Sequence, residues 1–255
     1  MSDTTDGRSL QLRIADTIRA RITSAEYPRD TKLPSLATLA EEFDASLVTV
    51  RLAIGRLKQE GLVESHQGSG NFVRSQPPVR RYGIDRYSRS VWAGANAQPL
   101  LVAEGERQGR AVGQETQTEQ VPAPDFVAQR LPDVAEGDLV YVRRRTTTID
   151  GTINQSADSY FALATGERSP DLVAGRGPGG HIARINAISP VIEVQEEITA
   201  RMPTSPESAR LQIPEGTPVF DLIRTYHTEE GPLDVARFVI RADMAAFDYR
   251  FLVPD

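Results

Sequence analysis

The sequence predicts an α+β protein with two domains. Residues 1–75 place apolar side chains at helical spacing and end in two short strands around glycines. Residues 91–255 instead contain β-branched runs separated by turn residues, which is typical of helices set on a largely antiparallel sheet. A length of 255 residues with 39% hydrophobic residues is enough for two cores, and the proline-containing stretch 76–90 is the predicted linker.

The first predicted helix covers residues 10–24. Ile14, Ile18 and Ile22 recur every four residues and form one apolar stripe. Residues 27–30, Tyr-Pro-Arg-Asp, then predict a turn. We expect this helix to complete a three-helix core with the two helices that follow.

Two short helices with a tight break between them come next. Ser35 is a suitable N-cap for the first, Ser46 is a suitable N-cap for the second, and Gly61 occupies a C-cap position. Each helix has an apolar face at i, i+3, i+4 and i+7, formed by Leu36, Leu39, Ala40 and Phe43 and by Val50, Ala53, Ile54 and Leu57. Two helices joined by a turn of about three or four residues predict a helix-turn-helix, whose second helix lies in the DNA major groove.

A β-hairpin is predicted directly after these helices. Residues 62–64 and 71–73 are the strands, and residues 66–70, His-Gln-Gly-Ser-Gly, form the turn. The N-terminal domain is therefore predicted to be a winged helix-turn-helix.

Arg51 is the principal predicted DNA contact, because arginine donates two hydrogen bonds to guanine O6 and N7; a solvated helix charge is the alternative. Leu47 offers only an apolar contact to a thymine methyl group. Ser35 and Ser46 are caps whose neighbouring backbone N–H groups would also meet phosphates, and the alternative for the hairpin is an ordinary turn. The predicted DNA-binding residues are Lys32, Ser35, Ser46, Leu47, Thr49, Arg51, His66, Gln67, Gly68, Ser69 and Gly70.

About the first 75 residues resemble the DNA-binding domain of the GntR family of bacterial transcription regulators. The matching motifs are Leu33-Pro34-Ser35, Ala40-Glu41-Glu42-Phe43, Ser46-x-x-Thr49-Val50-Arg51, Leu57 with Glu60-Gly61-Leu62-Val63, and Gln67-Gly68-x-Gly70-x-Phe72-Val73. The resemblance implies that Thr49 binds a phosphate and that Arg51 reaches a base or a phosphate. The sequence departs from the family at Ala37 and Leu47, where arginine is frequent, and at Ala25 and Asp30, where glycine is usual.

The C-terminal part is predicted to be mainly strands. A hairpin turns at Asp150-Gly151, residues 193–201 form a strand or short helix, and residues 205–211 form a helix. A glycine-rich stretch at 175–180 is predicted to be a flexible loop or lid. The predicted strands are residues 112–121, 139–149, 153–160, 217–227 and 233–242.

From about residue 90 onward the chain resembles the UTRA domain of the HutC subfamily. The motifs are Arg143-x-Arg145 with Asp150-Gly151 and Tyr160, Leu211-x-Ile213-Pro214-x-Gly216-x-Pro218-Val219, and Gly231-Pro232-Leu233-Asp234 with Arg241-Ala242-Asp243. The resemblance implies an α+β fold related to chorismate lyase, a small-molecule pocket and dimerisation through this domain. It also implies that Arg143, Arg145, Tyr160 and Asp234 line the pocket.

Arg143 and Arg145 are two residues apart in a predicted strand, so their side chains point to the same face. Two converging guanidinium groups would suit a carboxylate or phosphate of a small anionic or polar metabolite. The alternative is a row of salt bridges on a solvated sheet face. Tyr226 is interpreted as a pocket wall or as an ordinary core residue.

Charge and motifs exclude several other classes of function. The net charge is −6, but residues 91–255 contribute −9 and residues 76–90 contribute +3. The chain has no cysteine, its three histidines are scattered, and it lacks a catalytic motif, so we expect no metal, no cofactor and no enzyme activity. No export signal or run of about 18 apolar residues occurs, which predicts a cytoplasmic protein without membrane contact.

The leading hypothesis is a homodimeric repressor that binds a two-fold symmetric DNA operator and is released by a small-molecule effector. One alternative is a constitutive repressor without an effector, as in the control of mobile elements. The other is a chorismate-lyase-type enzyme tethered to DNA.

Overall fold

The computed structural model describes residues 9–66, 68–74, 78–94, 97–175, 178–213 and 216–252. The chain forms two compact units, residues 1–78 with 214–218 and residues 79–213 with 219–255. The described part contains no helix long and apolar enough to cross a membrane.

The first unit is a three-helix core with a β-hairpin. Its elements are α1 (Leu10–Thr23), α2 (Leu36–Glu42), α3 (Leu47–Gln59), β1 (Val63–His66) and β2 (Gly70–Val73). The apolar faces predicted from the sequence meet in one core, where Ile18, Leu39 and Leu57 are fully buried. The predicted winged helix-turn-helix is confirmed.

The ends of the helices follow the predicted capping. Ser35 accepts a hydrogen bond from the backbone N–H of Thr38 at 3.0 Å, and Ser46 accepts one from Thr49 at 3.1 Å. Helix α1 ends at Thr23, and Ala25 then adopts a left-handed backbone with φ of 61°. This conformation is unfavourable for a residue with a Cβ, which explains why glycine is usual at this position.

The second unit is built on a six-stranded, fully antiparallel sheet with strand order β4-β5-β6-β9-β8-β7. A small parallel pair, β3 (Val79–Arg81) with β10 (Ala245–Phe247), accompanies it. The six strands are β4 (Val112–Pro122), β5 (Leu139–Ile149), β6 (Thr152–Ala162), β7 (Val191–Arg201), β8 (Val219–Thr228) and β9 (Gly231–Arg241). The α+β class, the antiparallel sheet and the Asp150-Gly151 turn, where both residues have positive φ, are confirmed.

Both faces of the large sheet are covered. The helices of this unit are α4 (Arg89–Trp92), α5 (Leu100–Arg107), α6 (Asp125–Ala128), α7 (Leu163–Arg168), α8 (Pro170–Ala174), α9 (Gly180–Ile188) and α10 (Ser205–Leu211). Residues of α4, α5 and α9 pack with Phe161 and Tyr226 on one face, which we call the inner face. On the opposite, outer face, residues of α6 pack with Val142 and Tyr160, and Leu211 of α10 packs with Val239.

Three sequence expectations are corrected. The predicted linker 76–90 is wrong from residue 79 onward, because β3, a 3-10 helix (Asp85–Tyr87) and the start of α4 belong to the second unit. β3 is stabilised by β10, a partner about 165 residues away that local composition does not reveal.

Residues 100–105, placed at the start of the strand-rich region, form a helix, and residues 163–188 hold three helices that were not predicted. In the predicted loop 175–180, Gly180 already begins α9, and residues 176–177 lie outside the described residues.

Candidate functional site

Helix α3 presents a mixed apolar and basic surface. Val50, Ile54 and Leu57 face the core and thereby direct the opposite side of the helix outward. Arg51 is exposed there and has no ion-pair partner among the described residues. Around it, Leu47, Val48 and Leu52 are 51%, 61% and 56% exposed, which is unusual for aliphatic side chains on one helix.

The hairpin lies beside Lys32. Leu33 donates a backbone hydrogen bond to Asn71, and Lys32 forms an isolated bridge with Phe72, so this segment extends the hairpin as a third strand-like segment. Gly70 has φ of 109°, and a Cβ at this position would lie 3.0 Å from Cε of Lys32. The lysine chain therefore passes directly over the glycine. Ser69 is exposed, whereas Gln67 and the His66 side chain lie outside the described residues.

Four charged side chains of the second unit share the inner face of the sheet. Strand pairing places Arg143 opposite Ser159, Ser159 opposite Ala236 and Ala236 opposite Arg224, which forms one row across four strands. Asp234 pairs with Tyr226 and lies on one side of this row. Arg145 lies on the opposite side of the row, two residues beyond Arg143 in β5. All four are at least 90% buried: Arg143, Arg145, Arg224 and Asp234 are 4%, 8%, 5% and 0% exposed.

Within the described residues, Asp234 is the carboxylate that contacts this group of side chains. His181 on α9 contacts one of its oxygens through Nε2 at 2.7 Å, and Nη2 of Arg224 donates to the other at 3.3 Å. Burial alone would raise the pKa of Asp234, but His181 and Arg224 hold it below its ordinary value. Burial lowers the pKa of His181 to about 4 despite the neighbouring carboxylate, so the ring is neutral and donates from Nε2. We call Arg143, Arg145, Arg224, His181 and Asp234 the arginine cluster.

The arginine cluster has more positive than negative charge. Neither Arg143 nor Arg145 forms an ion pair among the described residues, and Nε of each is buried without a hydrogen-bond partner. Burial and the neighbouring Arg184 lower the pKa of Arg143 to about 10, and burial with Arg143 lowers that of Arg145 to about 9. Three guanidinium groups therefore face one carboxylate, and a bound anion would remove this imbalance.

The glycine-rich stretch contributes to the position of Arg143. Gly175 ends α8 with φ of 68°, and a Cβ there would come within 2.9 Å of Nε of Arg143. The carbonyl oxygen of Gly175 accepts a hydrogen bond of 3.4 Å from Nη2 of the same arginine. This end of the stretch is thus a wall of the cluster.

A cavity of about 30 Å³ lies on the inner face next to the cluster. This volume holds about two water molecules. Four of its eight polar side chains are arginines, and no aspartate or glutamate occurs among the described residues that line it. The polar side chains on its wall belong to Arg81, Arg86, Arg145, Arg224, Gln114, Gln155, His181 and Tyr226.

The structure brings four of the five predicted effector residues together and separates the fifth. Arg143, Arg145, Asp234 and Tyr226 lie on the inner face, where the guanidinium carbon of Arg224 stands 4.0 Å from the Tyr226 ring centroid. Tyr160 lies on the outer face, because it pairs with Val142 and Val235 and packs edge-to-face on Phe126. Its predicted place beside Arg143 is wrong, because Arg143 pairs with Ser159, and Tyr160, the next residue of β6, points to the other face.

Sequence reasoning missed His181, Arg224, Arg81 and Arg86. Only Arg224 had a local signal, since it is two residues from Tyr226 in a predicted strand. His181 is on an unpredicted helix, and the two other arginines are in the segment interpreted as a linker. Among the described residues, no group of three histidine, cysteine, aspartate or glutamate side chains could hold a metal ion.

Comparison with known proteins assigns both units. Residues 10–73 match the gntR family of bacterial regulatory proteins, and residues 107–246 match the UTRA domain. The chain belongs to the GntR family. This confirms the resemblance to GntR regulators of the HutC type. Members of this family are DNA-binding transcription regulators and not enzymes, and this GntR protein is one of these regulators.

Relatives match the GntR protein over almost its whole length. An uncharacterized HTH-type transcriptional regulator of Streptomyces coelicolor is 32% identical, over 95% of this chain and 92% of that protein. The mannosyl-D-glycerate transport/metabolism system repressor MngR of Escherichia coli is 26% identical, over 96% and 95% of the two chains. A crystal structure assigned to a GntR-family transcriptional regulator superposes with a TM-score of 0.61 at 30% identity, over 97% of this chain and 99% of that one.

Proposed function

We propose that this GntR protein is a cytoplasmic, dimeric repressor that leaves its operator when a small anionic metabolite occupies the arginine cluster. The observation that carries this proposal is the excess of buried guanidinium groups over carboxylates beside a cavity without an acidic wall. Buried arginines without partners are expensive unless they serve a ligand, and a carboxylate or phosphate group supplies the missing acceptors.

The direction of regulation is proposed from the relatives. MngR of Escherichia coli is named as a repressor of a transport and metabolism system. We propose that this chain is likewise a repressor and that a metabolite releases it. An effector shifts DNA affinity only by its difference in affinity for the two states of the protein. DNA and anion should therefore weaken each other's binding by the same factor.

DNA binding is proposed to use the outward side of α3 and the hairpin. Arg51 would read guanine or contact a phosphate, and Leu47, Val48 and Leu52 would contact thymine methyl groups. Lys32, Thr49 and Ser69, with the α2 and α3 amino-terminal N–H groups beside Ser35 and Ser46, would hold phosphates. His66, Gln67, Gly68 and Gly70 remain part of the proposed hairpin contact. Two subunits would place two such helices on half-sites about 34 Å apart.

The test uses DNA selected from a random library with the purified protein. Fluorescence anisotropy then measures its affinity while inorganic phosphate, sulfate or citrate replaces chloride at constant ionic strength, since DNA binding is salt-sensitive. We expect an oxyanion to release the wild-type protein from the DNA. The Arg145→Gln variant should stay bound to the DNA when the same oxyanion is added. Arg51→Ala should weaken DNA binding by roughly 5- to 150-fold per half-site without changing the oxyanion response. The proposed DNA interface would be refuted if the protein selected no DNA from the library. It would also be refuted if Arg51→Ala bound the selected DNA as tightly as the wild type.

A repressor without an effector is the second candidate, because the cavity as folded holds only about 30 Å³. It would show DNA binding that no oxyanion or metabolite changes. A screen for ligand-induced thermal stabilisation separates the two candidates.

A further inference from the structure

Arg81 is a buried arginine that the family motifs quoted above do not include. It ends β3, the first element of the second unit, in which Val79 and Arg81 point inward and Arg80 points outward. Arg81 is only 3% exposed. Arg80, one residue earlier, is exposed and forms an ion pair with Asp248 at 2.9 Å. Two adjacent arginines of one short strand therefore have opposite environments.

The environment of Arg81 lacks an anionic partner. Its guanidinium group makes one long hydrogen bond among the described residues, 3.4 Å from Nη1 to the amide oxygen of Gln155, and its Nε is buried without a partner. The rings of Phe247 and Phe238 flank the guanidinium carbon at 5.1 and 5.8 Å. Burial, reinforced by Arg86, lowers the pKa of Arg81 to about 10.

The nearby carboxylates are already engaged. Glu104 contacts Arg86 at 3.2 Å and accepts the backbone N–H of Tyr82 at 3.0 Å. Glu196 accepts the hydroxyl groups of Tyr87 and Tyr249 at 2.5 and 2.9 Å. Neither acid lies within ion-pair distance of Arg81, so both stabilise its charge only from longer range, and burial still lowers its pKa.

Arg81 and Arg145 line the same cavity although they come from different parts of the fold. Arg145 is carried by the central sheet and Arg81 by β3, and Gln114 and Gln155 contribute amide groups to the same wall. Both guanidinium groups lack a carboxylate. A small oxyanion would offer acceptors to both, and the amides would donate to its remaining oxygens.

We propose that Arg81 is an anion-binding residue of this cavity, which with Arg145 holds a phosphate or carboxylate group of the effector. The inference rests on the proposed effector function and identifies the residue through which that ligand contacts β3. Because β3 begins at Val79, directly after the first unit, an anion that fixes Arg81 also fixes the strand at which the chain enters the second unit.

The test compares Arg81→Gln with Arg80→Gln in the full chain, with Arg145→Gln as a reference for the site. Inorganic phosphate and sulfate are the probes, at constant ionic strength. Binding is followed by the rise in melting temperature and by the fluorescence of Trp92, the single tryptophan, which is buried in α4 and donates to the carbonyl of Tyr87 at 2.9 Å. Release of selected DNA is measured in parallel.

Arg81→Gln should bind phosphate at least tenfold more weakly and lose anion-dependent DNA release, while its DNA affinity without anion is unchanged. Arg80→Gln should resemble the wild type in both assays. Without anion, Arg81→Gln should also melt no lower than the wild type, because it removes a buried charge that has no ion-pair partner. A purely structural arginine would give a lower melting temperature instead.

Three results would overturn the inference. Unchanged phosphate affinity and DNA release in Arg81→Gln, with both lost in Arg145→Gln, would refute the role of Arg81 alone. Equal losses in Arg80→Gln and Arg81→Gln would point to a general charge effect. A wild-type protein that ignores phosphate, sulfate and the wider metabolite screen would refute the effector function and this inference together.

Discussion

Asp234→Asn tests the charge balance of the arginine cluster most directly. The substitution preserves the shape of the side chain but removes the only carboxylate among the described residues that contacts His181 and Arg224. Loss of one partner from a buried ion pair costs about 3–5 kcal/mol, because the remaining charge stays buried without compensation. For a unit of this size each kcal/mol corresponds to about 2–4 °C, so the melting temperature should fall by roughly 6–20 °C.

The same variant should be rescued by added anion. Phosphate would supply the missing negative charge, and saturation at about 100 times its Kd restores about 2.7 kcal/mol. Melting followed by circular dichroism at pH 7.5, with phosphate exchanged for chloride, measures both effects. Asp221→Asn is the matched control, since Asp221 pairs with Arg201 and Arg237 on the outer face. A wild-type melting temperature in Asp234→Asn, or the same phosphate rescue of both variants, would contradict the reasoning.

Three further predictions concern separate features. Ala25→Gly should stabilise the first unit by about 0.5–1 kcal/mol, because it relieves a left-handed alanine at φ of 61°; Ala20→Gly within α1 should destabilise it by about 1 kcal/mol, and chemical unfolding of both variants measures the contrast. His181 has a folded pKa of about 4, below its ordinary value of 6.5, so its contribution to stability is complete above pH 6.5 and is lost as the pH falls towards 4. The expected loss is about 2 kcal/mol at pH 5, and His181→Gln should remove this part of the pH dependence of unfolding. Replacing exposed Leu47 and Leu52 by alanine should change stability by less than about 0.5 kcal/mol but weaken DNA binding and remove a preference for thymine, which repeated selection from the random library would reveal.

Much of the fold was predictable because its signals are local. The caps at Ser35 and Ser46, the apolar faces of α2 and α3 and the Asp150-Gly151 turn each depend on residues within a few positions of one another. The left-handed backbone at Ala25 also agrees with a position where glycine is usual. Such features are set by backbone sterics and helix periodicity, which a single sequence shows directly.

The arginine cluster was only partly predictable. Spacing of two residues placed Arg143 and Arg145 on one face, and the structure agrees. The predicted position of Tyr160 was wrong because the face on which it lies depends on the register of the hairpin. In that register Tyr160 pairs with Val142 and not with Arg143. His181 and Arg81 were invisible because their positions depend on how α9 and β3 cover the sheet.

The sequence by itself determined the type of each unit, the outward side of α3 and the pair of arginines in β5. Only the tertiary structure decided which charges meet, because strands far apart in the chain pair in a fixed register and one of their faces is then sealed by helices and β3. That arrangement leaves Asp234 with several arginines around it and removes them all from water. The uncompensated charge, and with it the proposed preference for an anion, is a property of the packed fold.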